Sequence, residues 1–369
     1  MKKRFLLLSV VLALVLVLAG CSKPTMNVEP QDDGSLSITC DRMYGSGVSA
    51  DITVAEGQTL VFTPALEKGT IYVRIMAPAT DINKLPDVEN DESGRYEGIY
   101  VNRFTQSVYT PGSIFKIVTL AAALEEFPDA QDMRFTCNGS VQMDGGEITC
   151  EGVHGDQSLK EAFRNSCNCA FAELAIKIGA EKMERYVADF GLGDTLTFDG
   201  IETTPGNYEA VDASKIDLGW SGVGQYHDLV NPCSFLSFLG AVANGGEGTL
   251  PYVVENILVG NTRTYTAKTR EGETAISRET ARVVTEYMRN NVENKYGDEY
   301  FPGLAVCAKT GTAEVGGGKK PNAMLAGFVA DSNYPLAFIV CVEDGGYGAQ
   351  VCLPIASQVL ETCVEVLNP

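Results

Sequence analysis

Positive charge is scarce in this chain. Its 28 lysines and arginines stand against 48 acidic residues, a formal net charge of −20. No basic cluster follows the first four residues. Such a surface repels nucleic acid and anionic lipid headgroups, so no nucleic-acid partner is expected. Charged residues of both signs make up only 21% of the chain while hydrophobic ones reach 45%, which excludes a disordered, solvating class. There is no internal repeat and no low-complexity tract, so repeat arrays fall away too. What is left is a globular protein of 369 residues, long enough for one large domain or a medium domain and a small one.

The first residues are unlike the rest. Lys2, Lys3 and Arg4 form a positive start, Phe5 to Leu18 is an uncharged Leu/Val-rich run, and LAGC ends at Cys21. This pattern predicts an export signal over 1–21 with a bacterial lipobox, whose Cys21 is lipidated and becomes the mature N-terminus. The competing reading is an uncleaved anchor, for which the apolar stretch is shorter than the ~20 residues that span a bilayer comfortably. Both readings place the body of the protein on the extracytoplasmic face of the cell membrane.

With Cys21 lipidated, ten of the 11 cysteines remain. Cys137 and Cys150 bracket a Gly-rich loop, CNGSVQMDGGEITC, and form the expected disulfide of an exported protein. Cys341, Cys352 and Cys363 fall in apolar patterns and read as small buried hydrophobes. Cys137, Cys150 and His154 offer three zinc ligands, but no fourth is evident in the sequence nearby, and no metal site is assigned. In an organism living without oxygen, all of these thiols could stay reduced.

Residues 22–75 read as a polar tether followed by short strands, SLSITC, ADITVAEG, TLVFTPAL and TIYVRIM, separated by Gly and acidic turns. Asp81 to Arg95 is loop-like. Helical periodicity runs from Ile114 to Glu126, after Pro111-Gly112. Ser158 to Glu161 is a capping box opening a short helix to about Asn165, with further helices at about 170–178 and 181–190. Asn231-Pro232 reads as N-cap and N1 of a helix closed by Gly245-Gly246, and Ser277 caps another that runs to about Asn291. Then the period changes to three strands, 304–314, 323–330 and 336–343, followed by an amphipathic helix over 354–366. The expected fold is α+β, an antiparallel sheet flanked by helices with an adjoining helical cluster, filling 76–369.

Three short motifs carry the chemistry. Ser113 and Lys116 stand in TPGSIFK, Ser166 and Asn168 in NSCNC, and Lys309-Thr310-Gly311 in AKTGTAE. Each alone is weak, because a chain of this composition yields about one SxxK and about one SxN by chance. Their combination and order are specific. Residues at i and i+3 share a helix face, so Lys116 can reach the Ser113 hydroxyl. Serine is a poor nucleophile until a base takes its proton, and a lysine serves when burial and a neighbouring cation such as Lys309 lower its pKa. Ser166 can relay a proton, and the Asn168 amide can meet a substrate peptide group. Lys309, Thr310 and Thr312 offer a charge and two hydroxyls to a carboxylate. Gly311 lets a substrate backbone approach the strand. The N–H groups of Ser113 and Thr312 could form an oxyanion hole. Nothing in the set calls for a cofactor.

This constellation is the known signature of penicillin-binding proteins and class A β-lactamases, and the chain resembles the transpeptidase domain of the former, most like the monofunctional class B type. LPDVEND…GRYEGIYVNRFTQSVYTPGSIFKIVTLAAALE is similar to that family's approach to its nucleophile, and GVHGDQSLKEAFRNSCNCAFAELAIKIG to its second-motif region. SGVGQYHDLVNPCSFLSFLGAVANGG is similar to its Gly-Gln segment and following helix, and KTGTAEV…NAMLAGFVA to its third-motif strand and neighbour. The resemblance implies that Ser113 attacks the D-Ala-D-Ala bond of a peptidoglycan stem peptide, that D-Ala leaves, and that the acyl group passes to an amine of a neighbouring stem. It also implies covalent binding of β-lactams and makes a glycosyltransferase a candidate partner. A short β-rich segment stands where many class B members carry a large pedestal module, and TIYVRIMAPATDIN could occupy the second strand of the family's opening pair. Three other functions use the same residues. A D,D-carboxypeptidase passes the acyl group to water. A serine β-lactamase needs a deacylating carboxylate, for which Glu202 in IETTPGN is the best local candidate. A non-catalytic lipoprotein would only bind cell wall or β-lactam.

Overall fold

The computed structural model describes residues 101–259, 262–272, 276–331 and 333–367, together with the backbone of five strands before residue 77. The chain divides into two compact units, 1–99 and 100–369. In the first, Leu8–Val15 pairs antiparallel with Val48–Val54 and Tyr72–Met76, and Thr25–Pro30 pairs with Leu36–Asp41. Strands expected around SLSITC, ADITVAEG and TIYVRIM are therefore present. The Leu/Val-rich leader itself is extended over Leu8–Val15, a conformation its β-branched content favours. Cys21, the TLVFTPAL segment and the acidic 81–95 segment lie outside the described residues.

The second unit is the α+β body. Its centre is an antiparallel sheet in which Val306–Ala313 pairs with Asn322–Val329, and that strand with Ala337–Val342. The middle strand is buried along its whole length, as a strand covered on both faces must be. Helix α8 (Gly348–Leu367) covers one face through Cys352, Leu353, Ala356 and Leu360. The helical cluster holds α1 (Lys116–Glu126), α2 (Leu159–Asn165), α3 (Asn168–Ile178), α4 (Ala180–Asp189), α5 (Lys215–Val223), α6 (Pro232–Ala243) and α7 (Arg278–Asn291). Helix α1 is its axis. Ile117, Val118, Leu120 and Ala121 to Ala123 are all fully buried, so the helix that follows the nucleophile motif is anchored on every side.

The capping signals act as the sequence predicts. Ser158 Oγ accepts the Glu161 N–H while Glu161 accepts the Ser158 N–H, closing the reciprocal box. Asn231 accepts from the N–H groups of Cys233 and Ser234 with Pro232 in the first turn, and Ser277 accepts from Thr280. Two helices depart from expectation. Helix α5 was not foreseen, since LGWSGVG carries glycines that lower helix propensity. Those glycines are packing residues: a Cβ on Gly222 would lie 2.2 Å from the Ala175 Cβ of α3. Helix α8 begins at Gly348 and runs through Pro354, where the sequence reading started it. Proline is welcome in a first turn, which made the later start look natural.

The expected Cys137–Cys150 disulfide is not formed. Both are free thiols, as is every other described cysteine. Cys137 Sγ faces the Gly152 carbonyl at 3.5 Å, and Cys150 Sγ turns instead to His154 Nδ1 at 3.6 Å and Cys167 Sγ at 3.9 Å.

Candidate active site

Ser113 lies in a 3₁₀ turn, Gly112–Phe115, which runs directly into α1. Gly112 has φ +53°, and a Cβ there would fall 2.6 Å from the Thr312 carbonyl oxygen. Its N–H donates to the Gly224 carbonyl at 2.8 Å, and a Cβ on Gly224 would fall 2.1 Å from the Gly112 oxygen. The backbone ahead of the nucleophile is thus wedged between the sheet and the end of α5, with room for glycine alone.

Lys116, one turn on, is fully buried. Its Nζ lies 2.9 Å from Ser113 Oγ, 2.9 Å from the Ser166 carbonyl, 2.7 Å from Asn168 Oδ1 and 3.2 Å from Ser166 Oγ. An ammonium has three hydrogens for these four acceptors. A neutral amine fits differently. The carbonyl and the amide oxygen have no proton to give, so they must take the two N–H groups. The lone pair is then left for a hydroxyl, and the Ser113 O–H is the nearer one. Burial lowers the Lys116 pKa to about 8, so the amine is accessible near neutrality.

Ser166 closes α2 in the left-handed conformation, φ 58° and ψ 38°. Glycine or asparagine normally fills that place, and a serine there stores strain of order 1 kcal/mol. The strain has a function, since it aims both the carbonyl and the hydroxyl of Ser166 at Lys116. The same hydroxyl accepts from Lys309 Nζ at 3.0 Å, so it bridges the two buried lysines. Asn168 holds Lys116 with its oxygen and donates one Nδ2 hydrogen to the Thr149 carbonyl at 2.9 Å. The sequence reading had given this amide to a substrate; its first task is to position Lys116, and one hydrogen remains for a ligand.

Lys309 is fully buried in the edge strand of the sheet. Burial first, then the neighbouring Lys116, push its pKa well below the ordinary lysine value. The rings of Phe163 and Phe171 lie 6.0 Å and 5.9 Å from the two lysine nitrogens, within the range at which an aromatic face attracts a cation. Along this strand, alternate residues turn their backbone groups outward. The Val306 carbonyl accepts from Arg289, the Ala308 carbonyl from Asn291, and the Thr310 N–H donates to the Tyr296 hydroxyl at 3.1 Å. The next outward N–H is that of Thr312, which lines the cleft with Ser113, Thr310 and Gly311. Ser113, second in its 3₁₀ turn, likewise has an N–H without an intrahelical acceptor.

All three motifs therefore meet at one cleft of about 1060 Å³. Among the lining residues that sequence reasoning missed, four bear on the chemistry. Tyr296 and Lys295 come from a π-helical turn, Val292–Tyr296, whose spacing no ordinary periodicity reveals. Glu151 and Glu314 are the carboxylates that line the cleft, and Glu202 does not.

Residues 73–361 match the family described as the penicillin binding protein transpeptidase domain. A peptidoglycan D,D-transpeptidase, PbpA of Mycolicibacterium smegmatis, is 32% identical over 82% of this chain and 62% of its own length. The stage V sporulation protein D of Bacillus subtilis is 31% identical over 71% of this chain and 43% of its own. The chain thus spans 62% and 43% of these two relatives' own length. Among solved structures, penicillin-binding protein A from M. tuberculosis as an imipenem acyl-enzyme complex superposes with TM-score 0.66 at 28% identity, covering 71% of this chain and 61% of that one. The D,D-transpeptidase domain of a peptidoglycan glycosyltransferase from Eggerthella lenta has TM-score 0.66 at 27% identity, with 72% and 67% covered.

Proposed function

Because this chain belongs to the penicillin-binding protein transpeptidase family, we propose that it is a peptidoglycan D,D-transpeptidase acting through an acyl-enzyme on Ser113. The observation that carries the reading is the buried Lys116 amine, 2.9 Å from Ser113 Oγ with two carbonyl-type oxygens already committed to its hydrogens. Lys116 takes the Ser113 proton as Oγ attacks the carbonyl of the D-Ala-D-Ala bond. The N–H groups of Ser113 and Thr312 stabilise the oxyanion, a contribution of about 10²–10³ in rate per donor. The proton passes from Lys116 through the Ser166 hydroxyl to the leaving amine, and D-Ala departs. Lys309 and the hydroxyls of Thr310 and Thr312 receive the terminal carboxylate, and Gly311 keeps the strand open to the substrate backbone. An amine of a neighbouring stem peptide then attacks the ester by the reverse route.

The same chemistry makes Ser113 the site of covalent β-lactam binding. Glu202, the carboxylate the sequence offers for deacylation, lies outside the cleft, while Glu151 and Glu314 line it, so the rate of antibiotic hydrolysis has to be read by experiment. Export by the 1–21 leader and lipidation at Cys21 would remove the strand Leu8–Val15 from its pairing with Val48–Val54 and Tyr72–Met76 and hold the domain on the extracytoplasmic face of the membrane, beside its substrate and a partner glycosyltransferase. The decisive experiment is intact-protein and peptide mass spectrometry after penicillin treatment. The expected result is a single adduct on Ser113, absent in Ser113→Ala and lost over many minutes. An adduct elsewhere, or turnover of a chromogenic cephalosporin in seconds, would overturn the proposal. A pentapeptide assayed with and without an amine acceptor separates transfer from carboxypeptidation.

A further inference from the structure

Beside the cleft, three cysteines and one of the chain's two histidines converge from distant parts of the sequence. Cys137 ends the strand Arg134–Cys137, which pairs with Gly155–Ser158 so that Cys137 stands opposite Gly155. His154, one residue earlier, is thereby drawn back, and its N–H donates to the Cys137 carbonyl at 3.1 Å. Cys150 follows the strand Gly146–Thr149, and Cys167 is the N-cap of α3. The three sulfurs and the imidazole nitrogen all lie within 4.8 Å of one another. We propose that Cys137, Cys150, His154 and Cys167 form a structural zinc site that fixes the second active-site motif in place.

Two edges of the cluster match those of a metal tetrahedron, and the whole set is compact enough for one. Zinc–sulfur bonds of ~2.3 Å and zinc–nitrogen bonds of ~2.0 Å give edges of about 3.8 Å between sulfurs and about 3.5 Å between sulfur and nitrogen. Cys150 Sγ is 3.9 Å from Cys167 Sγ and 3.6 Å from His154 Nδ1. A disulfide would need ~2.05 Å between sulfurs, so the thiols are placed for a shared ion and not for a bond to each other. Three thiolates and an imidazole select zinc among the common divalent ions. With four protein ligands the site is closed, which makes it structural and not catalytic. The surroundings suit a thiolate as well, because the Asn168 N–H donates to Cys150 Sγ at 3.3 Å, the kind of outer hydrogen bond that tunes metal ligands. On binding, the three thiols release their protons to solvent and His154 coordinates as the neutral imidazole. The sequence reading stopped at three ligands because the fourth, Cys167, lies in the catalytic motif itself.

That position gives the ion its purpose. Cys167 is flanked by Ser166 and Asn168, which supply three of the four acceptors around Lys116. Cys150 adjoins Thr149, whose carbonyl holds the Asn168 amide. The ion would tie the α2–α3 junction to two strand ends without touching substrate.

The test is metal content of the purified full chain by atomic emission, which does not depend on the enzymatic reading. The expected result is one zinc per chain, lost in Cys150→Ser and in Cys167→Ser but kept in Cys352→Ser, whose thiol is buried in α8. Cobalt exchanged into the wild type should show the thiolate charge-transfer and ligand-field bands of a tetrahedral site. Should the variants fail to fold, chelation of the wild type supplies the answer: its melting temperature should fall and recover with added zinc, while β-lactam acylation drops at least about 10-fold. Metal-free protein with all four side chains unligated, a Cys150–Cys167 disulfide by mass, or a melting temperature indifferent to chelation would each overturn the proposal.

Discussion

The acylation rate should follow the ionisation of Lys116, and the size of the effect can be worked from its surroundings. Burial lowers this lysine from 10.5 to about 8. At pH 7 roughly a tenth of the molecules then hold the neutral amine, against about three in ten thousand for an unperturbed lysine. Desolvation therefore raises the reactive fraction about 300-fold. The second-order rate of labelling by a fluorescent penicillin should climb about tenfold per pH unit below 8 and level off above it. Two neighbours move this limb in opposite directions. Lys295 depresses the Lys116 pKa and Glu151 raises it, so Lys295→Gln should shift the limb to higher pH and Glu151→Gln to lower pH. Both line the cleft, so binding is controlled by comparing profile shapes and not absolute rates. A wild-type profile flat between pH 6 and 9, or one that keeps climbing toward the ordinary lysine value, would refute the assignment of Lys116 as base. Shifts of the same sign in the two variants would refute the electrostatic account of its tuning.

Other consequences are equally concrete. Ser166→Ala and Ser166→Gly both remove the hydroxyl that bridges Lys116 and Lys309, so both should acylate about 10²–10³ slower. Ser166→Gly should melt higher than Ser166→Ala, because only glycine relieves the left-handed strain at φ 58°. Gly224→Ala should destabilise the domain by at least about 2 kcal/mol in denaturant unfolding, since its Cβ would meet the Gly112 oxygen at 2.1 Å. Tyr296→Phe leaves the Thr310 N–H without its partner, at a cost of about 1–3 kcal/mol. Urea titration reads that loss, and an unchanged midpoint would show that water replaces the hydroxyl.

Much of the site was legible because its parts are local. The pair Ser113/Lys116 sits at a spacing that helix geometry turns into a contact, and the caps at Ser158, Asn231 and Ser277 mark helix starts by the backbone groups they satisfy. What stayed hidden depends on long-range packing. Tyr296 reaches Thr310 only because α7 ends in a π turn. The fourth ligand beside Cys137, Cys150 and His154, the thiol of Cys167, comes from the far side of α2. The Asn168 amide was assigned to substrate because sequence shows no carbonyl waiting at Thr149. The failed disulfide has the same origin: Cys150 Sγ turns to His154 and Cys167, partners that strand pairing and the α2–α3 junction bring to it.

The edge of the Val306–Ala313 strand is already taken up for most of its length. Arg289, Asn291 and Tyr296 engage its outward groups at 306, 308 and 310, leaving the end at Thr312 for an incoming chain. The strand thus acts as a ruler with a stop, admitting the terminus of a peptide and refusing a longer overlap. An inhibitor lengthened toward residue 306 would have to evict one side chain for each position gained, Tyr296 at 310, Asn291 at 308 and Arg289 at 306. Growth in the other direction, past Thr312 toward the open mouth of the cleft, meets no such toll.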